Sequence, residues 1–359
     1  MTRVLLNLLA GDPDHLSGIA VYALRQMEAL LRRGQHDYSL LTSWPRDRLA
    51  EHLPLDNVTY IHGVSPRSEK VNFVTQNWQV WRAAQRVDAQ TVFTPWPLAP
   101  SIGGERRVLV VHDLYRQTHP ELHSWHFRLG WKLMFPLAVR RSARIVAVSD
   151  ATAADFTRLY PEARERTCTV REASTLRATP RPDRPWPSPY ALSVSTTAAT
   201  KNLPGLIAGL DALHQRGTSL DFLWVGKDDG TVAKALADHP AVDRFHSLGR
   251  VDEETLATLY AHADFYVAAS LTEGFCLPIV EAQKYGVPVA CSDIPVLREV
   301  AGDGAIYFNP RDPQAIADAI GKLTVDPALR AELGAKASHN SLRFSWDKSA
   351  EALEAIFAG

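Results

Sequence analysis

Two glutamates eight positions apart, Glu273 and Glu281, bracket a short loop and the start of a helix within Ser270–Gly286. An apolar run, Phe265–Ser270, leads into the loop, and Pro278 and Gly286 mark the first turn and the end of the helix. The amides of Gly274, Phe275, Cys276 and Leu277 would face outward at the positive end of that helix, which makes an anion site suited to phosphate. Gly274 lets the backbone approach a ligand closely. Carboxylates beside a phosphate repel it, so the chemistry open to Glu273 and Glu281 is accepting hydrogen bonds from hydroxyl groups, such as those of a sugar. The plain alternative is a helix cap with a salt-bridged surface glutamate.

Two further pieces have the same character. Lys201 and Asn202 lie in the turn after the run Tyr190–Ser195, where a cation and a helix starting near Asn202–Pro204 would both favour a phosphate. A lone lysine in a loop is ordinarily just solvated, and this one gains meaning because it shares a half of the chain with the glutamates. His112, followed by Asp113, stands directly after the run Arg107–Val111. At a strand end it can bond a sugar or a phosphate, or it can be a satisfied structural histidine.

The elements that must position these groups alternate regularly. Val4–Leu9, Tyr38–Thr42, Val58–His62, Thr91–Thr94, Arg107–His112 and Arg144–Ser149 are strand-like, and after residue 189 so are Tyr190–Ser195, Leu220–Val225, Arg244–Leu248, Phe265–Ser270, Pro288–Ser292 and Ala305–Phe308. Helical patterns such as Ile19–Arg33, Thr255–His262 and Pro313–Leu323 separate them. Near-continuous Val, Ile and Leu between helices means parallel sheets covered on both faces. Five prolines between Ala178 and Pro189 predict a stiff linker at 179–189 between a domain of residues 1–178 and one of residues 190–344. Two doubly wound domains facing across a cleft would place ligands outside the carboxyl ends of their strands. The last segment, Ser345–Phe357, reads as a helix capped by Ser345, with Trp346, Ala350, Leu353 and Phe357 on one face.

Composition narrows the function. The 359 residues suffice for two domains, and 46% apolar against 22% charged residues supports real cores. With 39 basic and 40 acidic residues a dedicated nucleic-acid binder is not expected. The balance is uneven along the chain: residues 1–180 carry a net +6 and residues 181–359 a net −7. Three scattered cysteines fit neither a disulfide framework nor a zinc site. The first turn, Gly11–Gly18, is no dinucleotide fingerprint, and no phosphate-binding P-loop sequence occurs. Asp228-Asp229 is not a D-x-D pair and reads as a polar turn, so no metal is expected. No apolar run approaches ~18 residues, and the first residues reach Asp12 too soon for a secretory signal. The expected location is the cytoplasm.

With these residues together, the chain resembles family 4 of the retaining glycosyltransferases. Glu273–Glu281 is similar to that family's E-x7-E element, Thr200-Lys-Asn202 to its KN turn, and Leu248-Gly-Arg-Val251 to the turn near the nucleobase. Before the prolines, Ser17-Gly-Ile-Ala-Val-Tyr22 resembles its glycine loop, and Val111–Tyr115 with Pro120-Glu121 its HDL…PE stretch. The resemblance implies an α/β GT-B fold, two facing Rossmann-like domains with a cleft between them, and a terminal helix, 345–359, returning to the first domain. It also implies roles. Lys201, Glu273 and His112 would act on the transferred sugar and leaving diphosphate, and Glu281 would bind the ribose. Ser17, Gly18, Asn202, Arg250, Val251 and the loop Gly274, Phe275, Cys276 and Leu277 would complete the donor site. The chain departs from the family pattern in three ways: Ser17 and Cys276 each stand where glycine is usual, and the arginine many relatives carry just after the strand or just before the lysine is absent, with Thr196 and Thr200 at those places. Lys201 is then the main cation for the leaving group.

The reaction implied is metal-free, retaining transfer of a hexose or deoxyhexose from a nucleoside-diphosphate sugar, GDP-mannose or a GDP-deoxymannose first. The acceptor would be a saccharide or lipid-linked saccharide of a surface polysaccharide or O-antigen. The other class is a degenerate GT-B subunit that binds a sugar nucleotide or a partner without turnover. Finally, Trp125–Arg141 mixes Trp, Phe and Leu with Arg128, Lys132, Arg140 and Arg141, which suits peripheral contact with an anionic membrane. Its alternative is a core-packed pair of helices broken at Pro136.

Overall fold

The computed structural model describes the chain except residues 11–12, 14–15, 65–68, 98–104, 119–124 and 238–242, and except the side chains of 69–74 and 125–127. Among the described residues the chain forms two units, Met1–Glu172 with Ser345–Gly359, and Ala173–Phe344. Each is built on one parallel sheet.

The first unit holds β1 (Arg3–Leu8), β2 (Asp37–Thr42), β3 (Thr59–His62), β4 (Thr91–Thr94), β5 (Arg106–Val111), β6 (Arg144–Ala147) and β7 (Thr167–Thr169), in the order β3-β2-β1-β4-β5-β6-β7. The second holds β8 (Tyr190–Val194), β9 (Asp221–Val225), β10 (Phe245–Ser247), β11 (Phe265–Ala268), β12 (Val289–Ser292) and β13 (Ala305–Phe308), in the order β10-β9-β8-β11-β12-β13. The strand patterns read from the sequence lie within a residue or two of these. β7 is an addition: three half-buried residues at a sheet edge carry too little apolar pattern to be seen in advance.

In each sheet the order reverses once, between β1 and β4 and between β8 and β11. Chains leave such neighbours toward opposite faces, and the opening at their carboxyl ends is where doubly wound sheets take ligands.

Helices cover both faces of the first sheet. Gly18–Arg33 packs with the terminal helix, Trp346–Ala358, which therefore belongs to the first unit. Ala350, Leu353 and Phe357 of that helix are buried as their spacing predicts. Ser345 sits at its cap position, but its hydroxyl makes no capping bond. The other face carries Glu69–Arg86 over Leu5 and Val92, and Trp125–Arg141 over Leu109 and Ile145. Trp125–Arg141 runs through Pro136 without breaking. Phe135, Ala138 and Val139 are fully buried on both sides of the proline, and that packing offsets the ~3 kcal/mol a mid-helix proline costs.

The proline-rich stretch lies on the second unit. Arg181 N donates to Thr258 Oγ1 at 3.0 Å, and Trp186 Nε1 and Ser188 Oγ both donate to Asp221 Oδ2. The core of that unit forms between helix Leu203–Gln215, helix Pro313–Val325 and the β8, β9 and β11 side chains, Trp224 and Phe265 among them.

Candidate active site

The reversal point of the second sheet carries the cation and the carboxylate. β8 ends in Ser195–Ala198, a single tight turn brings Ala199–Lys201, and Asn202 opens helix Leu203–Gln215. β11, its neighbour through the pairs Phe265–Ala191 and Tyr266–Leu192, runs into the loop that holds Glu273 and then into helix Leu277–Lys284. The two loops are tied by Leu271 N donating to Thr200 O at 2.7 Å.

Across that tie, Lys201 Nζ donates to Glu273 Oε1 at 2.5 Å, and Ser270 Oγ donates to the same oxygen at 2.7 Å. A small cavity beside the pair is lined by Ser193, Ser195, Tyr266, Ser270 and Cys276. Below it β8 and β9 close tightly: a Cβ built on Gly226 would stand 1.7 Å from Ser195 O, so only glycine fits there. The site therefore offers a cation, a polarised carboxylate and a helix N-terminus in one place.

Helix Leu277–Lys284 begins from an unusual residue. Cys276 is its N-cap with φ 78° and ψ 67°, in the left-handed region that favours glycine. Its thiol is buried, and burial, reinforced by the Glu273 charge, pushes its pKa well above the ordinary thiol value. Phe275 points into the core, its ring edge-on to Phe344 at 5.5 Å. Gly274 is buried and Leu277 half-buried.

Glu281 lies one turn further and is buried at 5% exposure. Thr175 Oγ1 donates to its Oε1 at 2.6 Å and Tyr260 OH to its Oε2 at 3.1 Å. Burial raises the Glu281 pKa, and these two donors pull against that rise. Asn202 takes a left-handed conformation, and its Nδ2 donates to Pro310 O at 2.7 Å. Arg250 is exposed and Val251 half-buried in the turn after β10. The Asp228 and Asp229 carboxylates accept from Gly230 N and Thr231 N, which ties them into the turn before helix Thr231–Leu236, whose N-cap is Gly230.

In the first unit, Ser17 is the N-cap of helix Gly18–Arg33, its Oγ accepting from Ala20 N at 3.2 Å. A Cβ on Gly18 would meet nothing within 4 Å, so packing in the unit leaves that position open. His112 follows β5 with both ring nitrogens facing acceptors: Nδ1 is 3.2 Å from Glu172 Oε1 and Nε2 is 2.9 Å from Pro95 O. Tyr22 stands edge-on to the imidazole at 4.7 Å and Trp346 edge-on to Tyr22 at 5.8 Å. Pro120 and Glu121 lie outside the described residues.

The structure thus joins Lys201 to Glu273 and sets Glu281 in its own buried network. Thr175, Tyr260 and Glu172, which hold Glu281 and His112, carry no signal in the sequence. Only Ser270, at the head of the glutamate segment, was within reach of motif reading.

A parallel-sheet pair with a cation–carboxylate site at a reversal point and a helix N-terminus beside it is the arrangement of GT-B glycosyltransferases. The family model for glycosyl transferases group 1 matches residues 179–340, and that for Glycosyltransferase Family 4 matches residues 16–172. The O-antigen chain mannosyltransferase B of Escherichia coli is 30% identical over 267 residues, 68% of this chain and 68% of its own length. The serotype-specific mannosyltransferase WbdA of Escherichia coli is 32% identical over 170 residues, 46% of this chain but 20% of that longer protein. Sucrose-phosphate synthase from Thermosynechococcus elongatus, at 18% identity, shares the fold with a TM-score of 0.79 over 100% of this chain and 98% of its own. The chain belongs to glycosyltransferase family 4.

Proposed function

We propose that the protein is a retaining hexosyltransferase that moves mannose or a deoxymannose from its GDP-activated donor to a saccharide or lipid-linked saccharide during O-antigen or surface-polysaccharide synthesis. The observation that carries the reading is the Lys201–Glu273 pair at the β8/β11 reversal point, beside the N-terminus of helix Leu277–Lys284. The choice of mannose is supported by the O-antigen mannosyltransferases among the relatives.

Cleaving a sugar from a nucleoside diphosphate builds negative charge on the departing phosphate and positive charge on the ring carbon. In this reading Lys201 and the amides of Gly274, Phe275, Cys276 and Leu277 stabilise the phosphate, as pre-aimed donors that need no reorganisation. Glu273, released from Lys201 as the phosphates arrive, accepts from the sugar hydroxyls. Glu281 is the ribose acceptor, fixed in orientation by Thr175 and Tyr260. Asn202, Arg250 and Val251 belong to the nucleotide side, and the contacts of Ser17, Gly18 and His112 with the donor are part of the same proposal. The protein supplies no nucleophile, the leaving phosphate takes the acceptor proton, and no metal is needed.

The test is a thermal-shift panel of GDP, UDP and ADP with their hexose conjugates, followed by proton NMR of the product made from the donor that binds. A ligand at ~100 times its dissociation constant adds ~2.7 kcal/mol, a visible shift. Stabilisation by GDP-mannose and an α-linked product are expected. Binding of a nucleotide sugar with no transfer to any mannan or lipid-linked oligosaccharide would favour the binding subunit without turnover, and a β-linked product would overturn retention.

A further inference from the structure

Glu172 is a carboxylate where its surroundings favour an apolar side chain. It follows β7 in residues 170–176, whose other buried positions, Val170, Ala173 and Leu176, are all apolar. Glu172 itself is 5% exposed. A carboxylate taken out of water costs stability unless a partner answers it, and an apolar residue would hold this segment down equally well. Packing therefore does not account for the glutamate.

Its partner is the imidazole of His112, 60 positions earlier, with Nδ1 at 3.2 Å from Oε1. Across the ring, Nε2 faces Pro95 O at 2.9 Å. A backbone carbonyl can only accept, so Nε2 carries a hydrogen and donates that bond. Tyr22, fully buried, stands edge-on to the imidazole at 4.7 Å, with Trp346 behind it at 5.8 Å. Burial, reinforced by the Glu172 charge, pushes the Tyr22 hydroxyl well above its ordinary pKa, so this wall of the niche stays neutral.

The two bonds of the ring differ in kind. Pro95 lies directly after β4, at the reversal point of the first sheet, and its carbonyl is a neutral acceptor that a sugar or phosphate oxygen can replace. Glu172 is a charged acceptor, and such bonds are roughly twice as strong as neutral ones. The imidazole thus has a firm end and an exchangeable end. When Nε2 leaves Pro95 O for a donor oxygen, Nδ1 stays on Glu172 and the ring keeps its plane.

We infer that Glu172 is a positioning residue for sugar transfer, holding the His112 imidazole from behind so that Nε2 is presented to the donor. This rests on the reading above that His112 touches the donor, and adds the group that aims the contact. Three residues further on, Thr175 does the same for Glu281, its Oγ1 donating to Oε1 at 2.6 Å. One short stretch therefore carries an orienting group for each of two proposed donor contacts.

Transfer kinetics on paired variants test it. Glu172→Leu fills the space but loses the bond, whereas Glu172→Gln keeps an acceptor for Nδ1 without the charge. Leucine should lower kcat by ~10–100-fold, the range found when the outer partner of a metal-held imidazole is removed, and leave KM within about threefold. Glutamine should recover much of that loss; a packing role predicts the opposite order. In a His112→Ala background Glu172→Leu should cost nothing further, since it acts through the ring. Nitrogen-15 spectra of histidine-labelled protein read the bond apart from turnover. The Nδ1 resonance of His112, identified by its loss in His112→Ala, should shift in the leucine variant and return most of the way in the glutamine variant. Circular dichroism checks folding, and glutamine, with the shape of glutamate, keeps the spectra and kinetics readable where leucine disturbs the segment. A leucine variant with the parent's kcat, an unshifted Nδ1, or an equal loss with His112 already removed would each overturn the inference and leave the donor reading standing. His112→Ala that turns over like the parent removes His112 from the donor contacts, and the inference falls with it.

Discussion

Lys201 and Glu273 neutralise each other, Nζ against Oε1 at 2.5 Å, with Ser270 bonded to the same oxygen. If the diphosphate binds as proposed, the pair holds the lysine ready for it and keeps the carboxylate from facing it as a bare negative charge. Donor binding in that proposal would exchange one partner for another on each side instead of desolvating two free ions.

Lys201→Ala should therefore act on turnover far more than on stability. Removing one pre-aimed donor to a developing oxyanion costs ~2.7–4 kcal/mol of barrier, a fall in kcat of ~100-fold or more. The lysine side chain is 26% exposed, and such a pair is worth ~0–1 kcal/mol in stability, so melting should move by only a few degrees. Steady-state kinetics with the identified donor, beside a melting curve, check both. An unchanged kcat would remove Lys201 from the leaving-group site.

Glu281 gives a pH signature. Its pKa is raised in the fold by burial, above the ordinary 4.5. From about pH 4.5 upward the native state therefore holds a proton that the unfolded chain has released, and stability falls as pH rises through that window. The cost grows until the pH has passed the raised, folded-state value. Glu281→Gln carries no such charge, and its amide and carbonyl can still bond Thr175 and Tyr260, whose hydroxyls both donate and accept. The variant should melt at or above the parent at pH 7, with the difference closing toward pH 4. Melting curves across that range decide it: a variant that loses stability at pH 7 and regains none on acidification would mean the carboxylate is held charged. Because Glu281→Ala would remove the acceptor of the buried Tyr260 hydroxyl, glutamine is also the cleaner control for nucleotide binding.

Cys276 tests the loop itself. A side chain at φ 78° costs ~1–2 kcal/mol relative to glycine, while the small buried thiol returns a similar amount through burial. Cys276→Gly should thus be close to neutral in stability. Cys276→Val, branched at Cβ, should lose ~2 kcal/mol or more in chemical denaturation. A valine variant as stable as the parent would show that the loop shifts freely to an ordinary conformation, and then it would be a poor pre-aimed anion site.

The sequence made much of this readable because parallel strands are buried on both faces. Runs such as Val108–Val111 and Phe265–Ala268 have no alternation to confuse and little length to dispute. The Lys201–Glu273 pair was approachable for a related reason: both residues lie in the loops that follow β8 and β11, and Pro278 announces the helix that carries Glu281. What stayed hidden depends on contacts between segments distant in the chain. Thr175 reaches Glu281 across 106 positions and Glu172 reaches His112 across 60, and no local pattern encodes either meeting. Pro136 was misleading for the same reason, since the core against Phe135 and Val139 outweighs a local rule.

The terminal helix gives the last prediction. Phe357 is 1% exposed, with its ring 5.6 Å from Phe93 of β4 and 6.0 Å from His36. Its helix is further held by Arg33 Nε to Glu354 Oε2 at 2.8 Å and by Ser349 Oγ to Gln26 Oε1 at 2.6 Å. Deleting a buried phenylalanine costs ~3–5 kcal/mol, much of what a domain of this size has in reserve. Phe357→Ala should therefore loosen the first unit selectively. Hydrogen exchange should quicken in β1, β4 and helix Gly18–Arg33, while β8, β9 and β11 keep their protection. The neighbourhood of His112 should loosen with them, because Trp346 of the same helix braces Tyr22 against the imidazole. Equal acceleration in both units, or none, would show that the last helix is not a structural part of the first unit alone.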